Sequence, residues 1–194
     1  MRLSASPACL TLTAGLIAVS VFAADAESGK KKAEACVACH GPNGNSTIGT
    51  FPILAGQTWR YLYLQLRDFK EERRKDPNMS PIAASLSKED MFDLAEYFST
   101  QKPAPLAFKP DERRVAAGAK TSADVLCTMC HLGQMKGQNE IPRLAGQQPE
   151  YVIKQMKDFK SRTRTNDAGS MTSVSQTLSD EDIQNLAHYT ASLF

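Results

Sequence analysis

The pentapeptide Cys-x-x-Cys-His occurs twice in this chain, at residues 36–40 and 127–131, and accounts for four of its five cysteines. Two thiols three residues apart project from one side of a helical turn. Each can form a thioether with a vinyl group of a porphyrin, and the histidine that follows can reach the iron. The motifs therefore predict two covalent c-type haems. The cysteines predicted to attach the haems are Cys36, Cys39, Cys127 and Cys130. His40 and His131 are each predicted to be one axial ligand of an iron.

Cys-x-x-Cys also occurs in zinc sites and in proteins that catalyse thiol-disulfide exchange. Two complete copies of the pentapeptide, in a chain with only three histidines, favour haem, with metal or disulfide chemistry as the alternative. The fifth cysteine, Cys9, lies in an N-terminal segment that we expect to be removed. All four cysteines of the mature chain are then used for thioethers, and no disulfide is expected.

The N-terminus has the composition of a secretory signal peptide. Arg2 precedes an uncharged, mostly apolar stretch at about residues 8–21, and small residues follow it. This predicts a signal peptide over residues 1–23, cleaved after Ala23. The stretch is short for a membrane span, although a retained N-terminal anchor is the structural alternative.

The mature chain carries almost no net charge. The whole chain has 23 basic and 21 acidic residues, and residues 1–23 remove only Arg2. Because each haem adds two propionates, the loaded protein should be mildly anionic. This charge gives no support to binding of nucleic acid.

An internal repeat covers nearly the whole mature chain at an offset of 90 to 92 residues. The matching segments are 52–57 with 142–147, 68–70 with 158–160, 86–90 with 178–182 and 94–97 with 186–189. The repeat predicts two copies of one haem domain, which we call module one (24–102) and module two (111–194). Between them, prolines 103, 105 and 110 favour an extended linker over residues 103–110.

Apolar periodicity predicts an all-α fold. Ser87 with Asp90, and Ser179 with Asp182, resemble capping boxes that open the last helix of each module. The predicted helices cover residues 27–39, 57–74 and 87–98 in module one, and residues 113–130, 149–160 and 180–193 in module two.

The second axial ligand is predicted from the repeat. The remaining histidine, His188, aligns with Glu96, so we interpret it as a surface or packing residue. Among the six mature methionines only Met79 and Met171 align with each other, 39 residues after His40 and 40 after His131. We therefore predict both as iron ligands, each in a loop between helices. A neutral thioether favours ferrous iron and fills the sixth site, which argues for electron transfer over catalysis.

The ordered set of motifs resembles the class I cytochromes c, and its tandem arrangement is similar to the dihaem cytochrome c4 family. The resemblance covers about residues 30–194. It implies two small helical haem domains that pack around an approximate twofold axis. It also implies that the carbonyls of Pro52 and Pro142 accept the Nδ1 protons of the two ligand histidines. Haem attachment outside the cytoplasmic membrane, which the resemblance implies as well, agrees with a signal peptide and a periplasmic location.

The function that this resemblance implies is a periplasmic electron shuttle without catalytic residues. Its expected partners are redox proteins, namely a membrane quinol-oxidising complex and a terminal oxidase or reductase, and peripheral association with the membrane is compatible with this role. The alternatives are a haem enzyme, either a peroxidase or a sulfur-compound dehydrogenase, and an electron-donor subunit of an oxidase complex.

Overall fold

The computed structural model describes residues 24–194, so the predicted signal peptide and Cys9 lie outside the described residues. Within that range the chain is helical, and β structure is limited to one isolated bridge between Gln138 and Ile141. Module one contains α1 (Ala26–Ala33), α2 (Val37–His40), α3 (Trp59–Lys70), α4 (Met79–Ala84) and α5 (Lys88–Thr100). Module two contains α6 (Glu112–Asp124), α7 (Cys127–His131), α8 (Pro149–Lys160), α9 (Ser170–Gln176) and α10 (Asp180–Ser192).

The first and last long helices of each module cross in close contact at a glycine. In module one α1 packs against α5, and a Cβ placed on Gly29 would lie 2.0 Å from the carbonyl oxygen of Asp93. In module two α6 packs against α10, and a Cβ on Gly118 would lie 2.2 Å from the carbonyl oxygen of Asn185. The crossing therefore requires a residue without a side chain. Both modules have a glycine at this position.

Substitution of Gly29 or Gly118 by alanine should destabilise the corresponding module by about 3 kcal/mol or more, because the added methyl group meets main-chain atoms that cannot rotate away. Denaturant unfolding of the haem-loaded protein measures this loss. Gly133→Ala is a suitable control, since a Cβ there meets nothing within 4 Å. Equal stability of the Gly29→Ala and Gly133→Ala variants would contradict the proposed crossing.

Each module has its own apolar core. In module one the buried cluster consists of Ala33, Leu62, Leu94, Ala95, Tyr97 and Phe98. In module two it consists of Leu178, Ile183 and Leu186. One cysteine of each motif, Cys36 or Cys127, packs against the cluster of its own module. The attachment points therefore lie at the edges of the two cores.

The structure agrees with the predicted helix over residues 149–160 and with both capping boxes, and it shortens or divides several other helices. The helix predicted over residues 57–74 ends at Lys70, and Glu72 follows it with a left-handed φ of 56°. The helix predicted over residues 113–130 is interrupted at Leu126, which also has φ 56°. Residues 27–39 form α1, a 3₁₀ turn and the start of α2 rather than one helix.

Residues 101–111, which include the predicted linker, contain no helix and are anchored to both modules. The side chain of Asn45 in module one donates to the carbonyl of Lys102 (3.2 Å) and accepts from the backbone N–H of Ala104 (2.7 Å). On the other side, His188 accepts through Nδ1 from the N–H of Asp111 at 3.0 Å. The ring of His188 also packs edge-on against Phe108, with ring centroids 5.1 Å apart, and therefore holds the end of the linker. Among residues 24–194 no helix has the length and apolar character needed to cross a membrane.

Two glutamine side chains join the modules in a reciprocal arrangement. Gln147 accepts from the backbone N–H of Ile53 at 2.7 Å and donates to its carbonyl at 3.0 Å. Gln57 accepts from the N–H of Arg143 at 2.7 Å and donates to its carbonyl at 2.9 Å. Gln57 aligns with Gln147, and Ile53 with Arg143, at an offset of 90 residues. The two modules therefore contact each other through equivalent surfaces, as a pseudo-twofold arrangement requires.

Candidate functional site

The imidazole of His40 lies at the end of α2 and is buried, with 6% of its surface exposed. Its Nδ1 lies 2.9 Å from the carbonyl oxygen of Pro52. A carbonyl can only accept, so Nδ1 carries the proton and Nε2 keeps its lone pair. This contact orients the ring and leaves Nε2 available to a metal.

His131 has the same environment in module two. It ends α7, is 5% exposed, and places Nδ1 2.9 Å from the carbonyl oxygen of Pro142. Burial lowers the pKa of both imidazoles, and the hydrogen bonds to the proline carbonyls offset only part of that effect. Both rings are therefore neutral at pH 7, the form that binds iron.

None of the four cysteines of residues 24–194 is paired in a disulfide, and only Cys130 is exposed. Burial raises the pKa of the Cys36 and Cys127 thiols, although a hydrogen bond with Ser122 offsets part of the effect at Cys127. Within residues 24–194 no three His, Cys, Asp or Glu side chains converge in a group that could hold a metal ion.

The prediction that both candidate methionines lie in loops is wrong, because each lies in the first turn of a short helix. Met79 is the first residue of α4, and Met171 is the second residue of α9. Both side chains are partly buried. The other methionines differ from this pair: Met91 and Met135 are 4% and 0% exposed, Met129 is 72% exposed, and Met156 packs against the core of module two.

An aspartate fixes the start of each methionine helix. In module one an Asp76 carboxylate oxygen accepts from the backbone N–H of Met79 at 3.1 Å. In module two a carboxylate oxygen of Asp167 accepts from the N–H of Thr172 at 2.6 Å. These aspartates were not predicted as site residues, although they align in the repeat at an offset of 91 residues.

The side chains at the edge of the core of module one suit a flat, apolar group with a polar edge. Leu54, Trp59, Tyr63 and Leu66 are partly buried and, like Cys36, pack against the core cluster. The indole N–H of Trp59 is buried and has no hydrogen-bond partner in the described part of the chain. A buried donor of this kind needs an acceptor, which a haem propionate can supply. The residues present therefore fit a covalently attached haem.

Comparison with known proteins agrees with this assignment. The model of the family described as Cytochrome c matches residues 26–102 and again residues 115–194. Cytochrome c4 of Azotobacter vinelandii is 38% identical over an alignment that covers 93% of this chain and 94% of the relative. A thiosulfate dehydrogenase electron acceptor of Stutzerimonas stutzeri is 34% identical over 83% of this chain and 80% of its own length. The crystal structure of reduced recombinant cytochrome c4 from Pseudomonas stutzeri superimposes with a TM-score of 0.83 at 37% identity, covering 89% of this chain and 100% of that one.

Proposed function

Because the chain belongs to the cytochrome c family, and within it to the dihaem cytochromes c4, we propose that it is a periplasmic shuttle for single electrons between membrane complexes. It is an electron-transfer protein with two covalently bound c-type haems, one in each module. Reversible one-electron exchange at iron is the chemistry that these groups supply when bound. The periplasmic location rests on the predicted signal peptide over residues 1–23.

The residues that we assign to the haems are the thioether cysteines Cys36, Cys39, Cys127 and Cys130, and the iron ligands His40, Met79, His131 and Met171. Pro52 and Pro142 position the two histidines through their carbonyl oxygens. Modules one (24–102) and two (111–194) each form one haem domain, joined by the linker at residues 103–110.

One observation carries the proposal: both modules present a buried neutral histidine together with a partly buried methionine at equivalent positions of the repeat. Two such ligands would hold a bound haem iron from both sides, which would leave peroxide or another substrate no open site on the iron. A thioether also stabilises ferrous iron and raises the reduction potential. This combination suits a carrier better than a haem enzyme.

We further propose that a membrane quinol-oxidising complex reduces this protein and that a terminal oxidase or reductase oxidises it. The relative named as a thiosulfate dehydrogenase electron acceptor favours a second class of donor, a sulfur-compound dehydrogenase. In both cases the chain accepts electrons and catalyses no reaction itself.

Rapid mixing tests this proposal. The oxidised protein is mixed with membranes and quinol, with and without an inhibitor of the quinol-oxidising complex, and the haem absorbance is followed. Both haems should be reduced only without the inhibitor, and oxidase-containing membranes and oxygen should then reoxidise both. Absence of exchange with either membrane preparation, or turnover of peroxide by the native protein, would contradict the shuttle role.

A further inference from the structure

Module two buries one hydroxyl group that forms no hydrogen bond. The side chain of Ser175 lies in α9, and 0% of its surface is exposed. Its Oγ is buried as well and bonds to no atom of the described residues 24–194. Burial of a hydroxyl group without a partner is costly, because the group loses its hydrogen bonds to water and gains none. Such a group in a native protein therefore needs an explanation.

Neighbouring hydroxyl groups of α9 are satisfied within the chain. Thr172 donates through Oγ1 to a carboxylate oxygen of Asp167 at 3.2 Å. Ser173 donates to the carbonyl of Gly169, one helical turn back, at 2.7 Å. Ser175 makes no such bond to the carbonyl one turn back, so the helix does not satisfy its hydroxyl group.

Module one shows that the fold does not require a hydroxyl group at this position. Ala83 is the equivalent residue of α4, at an offset of 92 residues, and it is also 0% exposed. Alanine avoids the cost of burying a hydroxyl group and is the better helix former. Serine at position 175 is therefore unfavourable unless its hydroxyl group finds an acceptor in the haem-loaded protein.

The candidate iron ligand Met171 lies one helical turn before Ser175. Residues four apart on a helix are neighbours on one face, with about 5–6 Å between their Cβ atoms. Helical side chains also point back toward the N-terminus, which directs position 175 toward the turn that contains Met171. Met171 is partly buried, and its unbranched side chain can adjust its position. A thioether sulfur can accept a hydrogen bond, although weakly.

We propose that the Ser175 hydroxyl group donates a hydrogen bond to the thioether sulfur of Met171 in the haem-loaded protein, and that this bond makes the two redox centres unequal. The inference rests on the proposed function, in which Met79 and Met171 are equivalent sulfur ligands. Module one cannot form the bond, because Ala83 carries no donor. Two haems with the same pair of axial ligands then differ in the electron density at one sulfur.

The bond should raise the reduction potential of the haem in module two. A hydrogen bond withdraws electron density from the sulfur and weakens its donation to the iron, and ferric iron depends on this donation more than ferrous iron does. Loss of the hydroxyl group should therefore lower the potential of module two and leave that of module one unchanged. Unequal potentials also decide which haem of a two-centre carrier holds the first electron.

Spectroelectrochemical titration of three haem-loaded variants tests the proposal. Ser175→Ala removes the buried donor. Ser173→Ala is the matched control, because it makes the same change in the same helix at an exposed residue whose hydroxyl group bonds to the backbone. Ala83→Ser adds a donor at the equivalent position of module one. One potential should fall in Ser175→Ala by at least three times any shift in Ser173→Ala, and the other potential should rise in Ala83→Ser.

A Met79→Ala background assigns the effect to module two. In that protein only Met171 is expected to give the charge-transfer absorption between methionine sulfur and ferric iron, so the band reports on one sulfur. Addition of Ser175→Ala should change the wavelength of this band, and addition of Ser173→Ala should leave it in place. A hydroxyl group that only helped α9 to pack would not act on the band.

Three outcomes with Ser175→Ala would overturn the hydrogen bond. They are a shift no larger than that of Ser173→Ala, an equal fall in both potentials, and an unchanged band in the Met79→Ala background. A folded Ala83→Ser protein without a rise in potential would overturn it as well. Failure of the proposed function is distinguishable, because wild-type protein would then lack the band of two methionine-ligated haems or would not exchange electrons with membranes. Ser175→Ala introduces the residue that module one already has, so the test remains complete if Ala83→Ser does not fold.

Discussion

Replacement of Met79 by alanine is expected to halve the long-wavelength charge-transfer absorption between methionine sulfur and ferric iron. Met79 is one of two equivalent candidate ligands, and module two retains Met171. The haem in module one should lose a few tenths of a volt in reduction potential, within the roughly 0.8 V range that axial ligands set. Absorption spectroscopy of the oxidised protein and a redox titration measure the two effects.

The chain offers a matched control for this substitution. Met129 lies between the two cysteines of its motif and is 72% exposed, so Met129→Ala should retain the full band and both potentials. The double variant Met79→Ala, Met171→Ala should lose the band entirely, and its ferrous form should bind carbon monoxide at both irons. A Met79→Ala protein with the full two-haem intensity would show that another residue ligates the iron of module one.

The residues that we assign to the haems could be proposed from the sequence because their chemistry is local. The two cysteines and the histidine of each motif are neighbours in sequence, and one helical turn brings them together at any position in a fold. The methionines are distant from the motifs, but the internal repeat identified Met79 and Met171 as the one pair preserved in both modules. Because the chain contains two copies of one domain, the copies can be compared with each other, as related sequences usually are.

Other features depend on contacts that no sequence pattern describes. The helix that precedes Met79 ends at Lys70 rather than at residue 74. Arg74 therefore lies outside the helix, and its side chain donates to Gln155 of module two. The carboxylate of Asp76 begins a new helix at Met79, where the sequence suggested a loop. Arg74 and Arg164 look like ordinary surface cations in charge-rich segments. Contacts with the other module help to bury both of them.

Removal of all four thioethers is expected to abolish the cooperative native fold. Each module has about 80 residues, a size at which an apolar core alone supplies only about 3–5 kcal/mol. The variant Cys36→Ala, Cys39→Ala, Cys127→Ala, Cys130→Ala retains every other side chain of both cores. Thermal unfolding followed by far-ultraviolet circular dichroism should show a broad, weakly cooperative transition instead of a sharp one.

The two pairwise variants separate the contributions of the modules. Module one buries eleven apolar residues and module two buries nine, so each module should depend on its own haem to a similar extent. Cys36→Ala, Cys39→Ala and Cys127→Ala, Cys130→Ala should therefore each lose helix signal at 25 °C, mainly from the module that carries the substitutions. Gln57 and Gln147 bond the two modules to each other, so loss of one haem should also destabilise the module that keeps its haem. Thermal unfolding followed at the remaining haem absorption band should then show a lower melting temperature. A sharp, native-like melt of the fourfold variant would show that the apolar cores fold without haem. Haem would then not be required for the stability of either module.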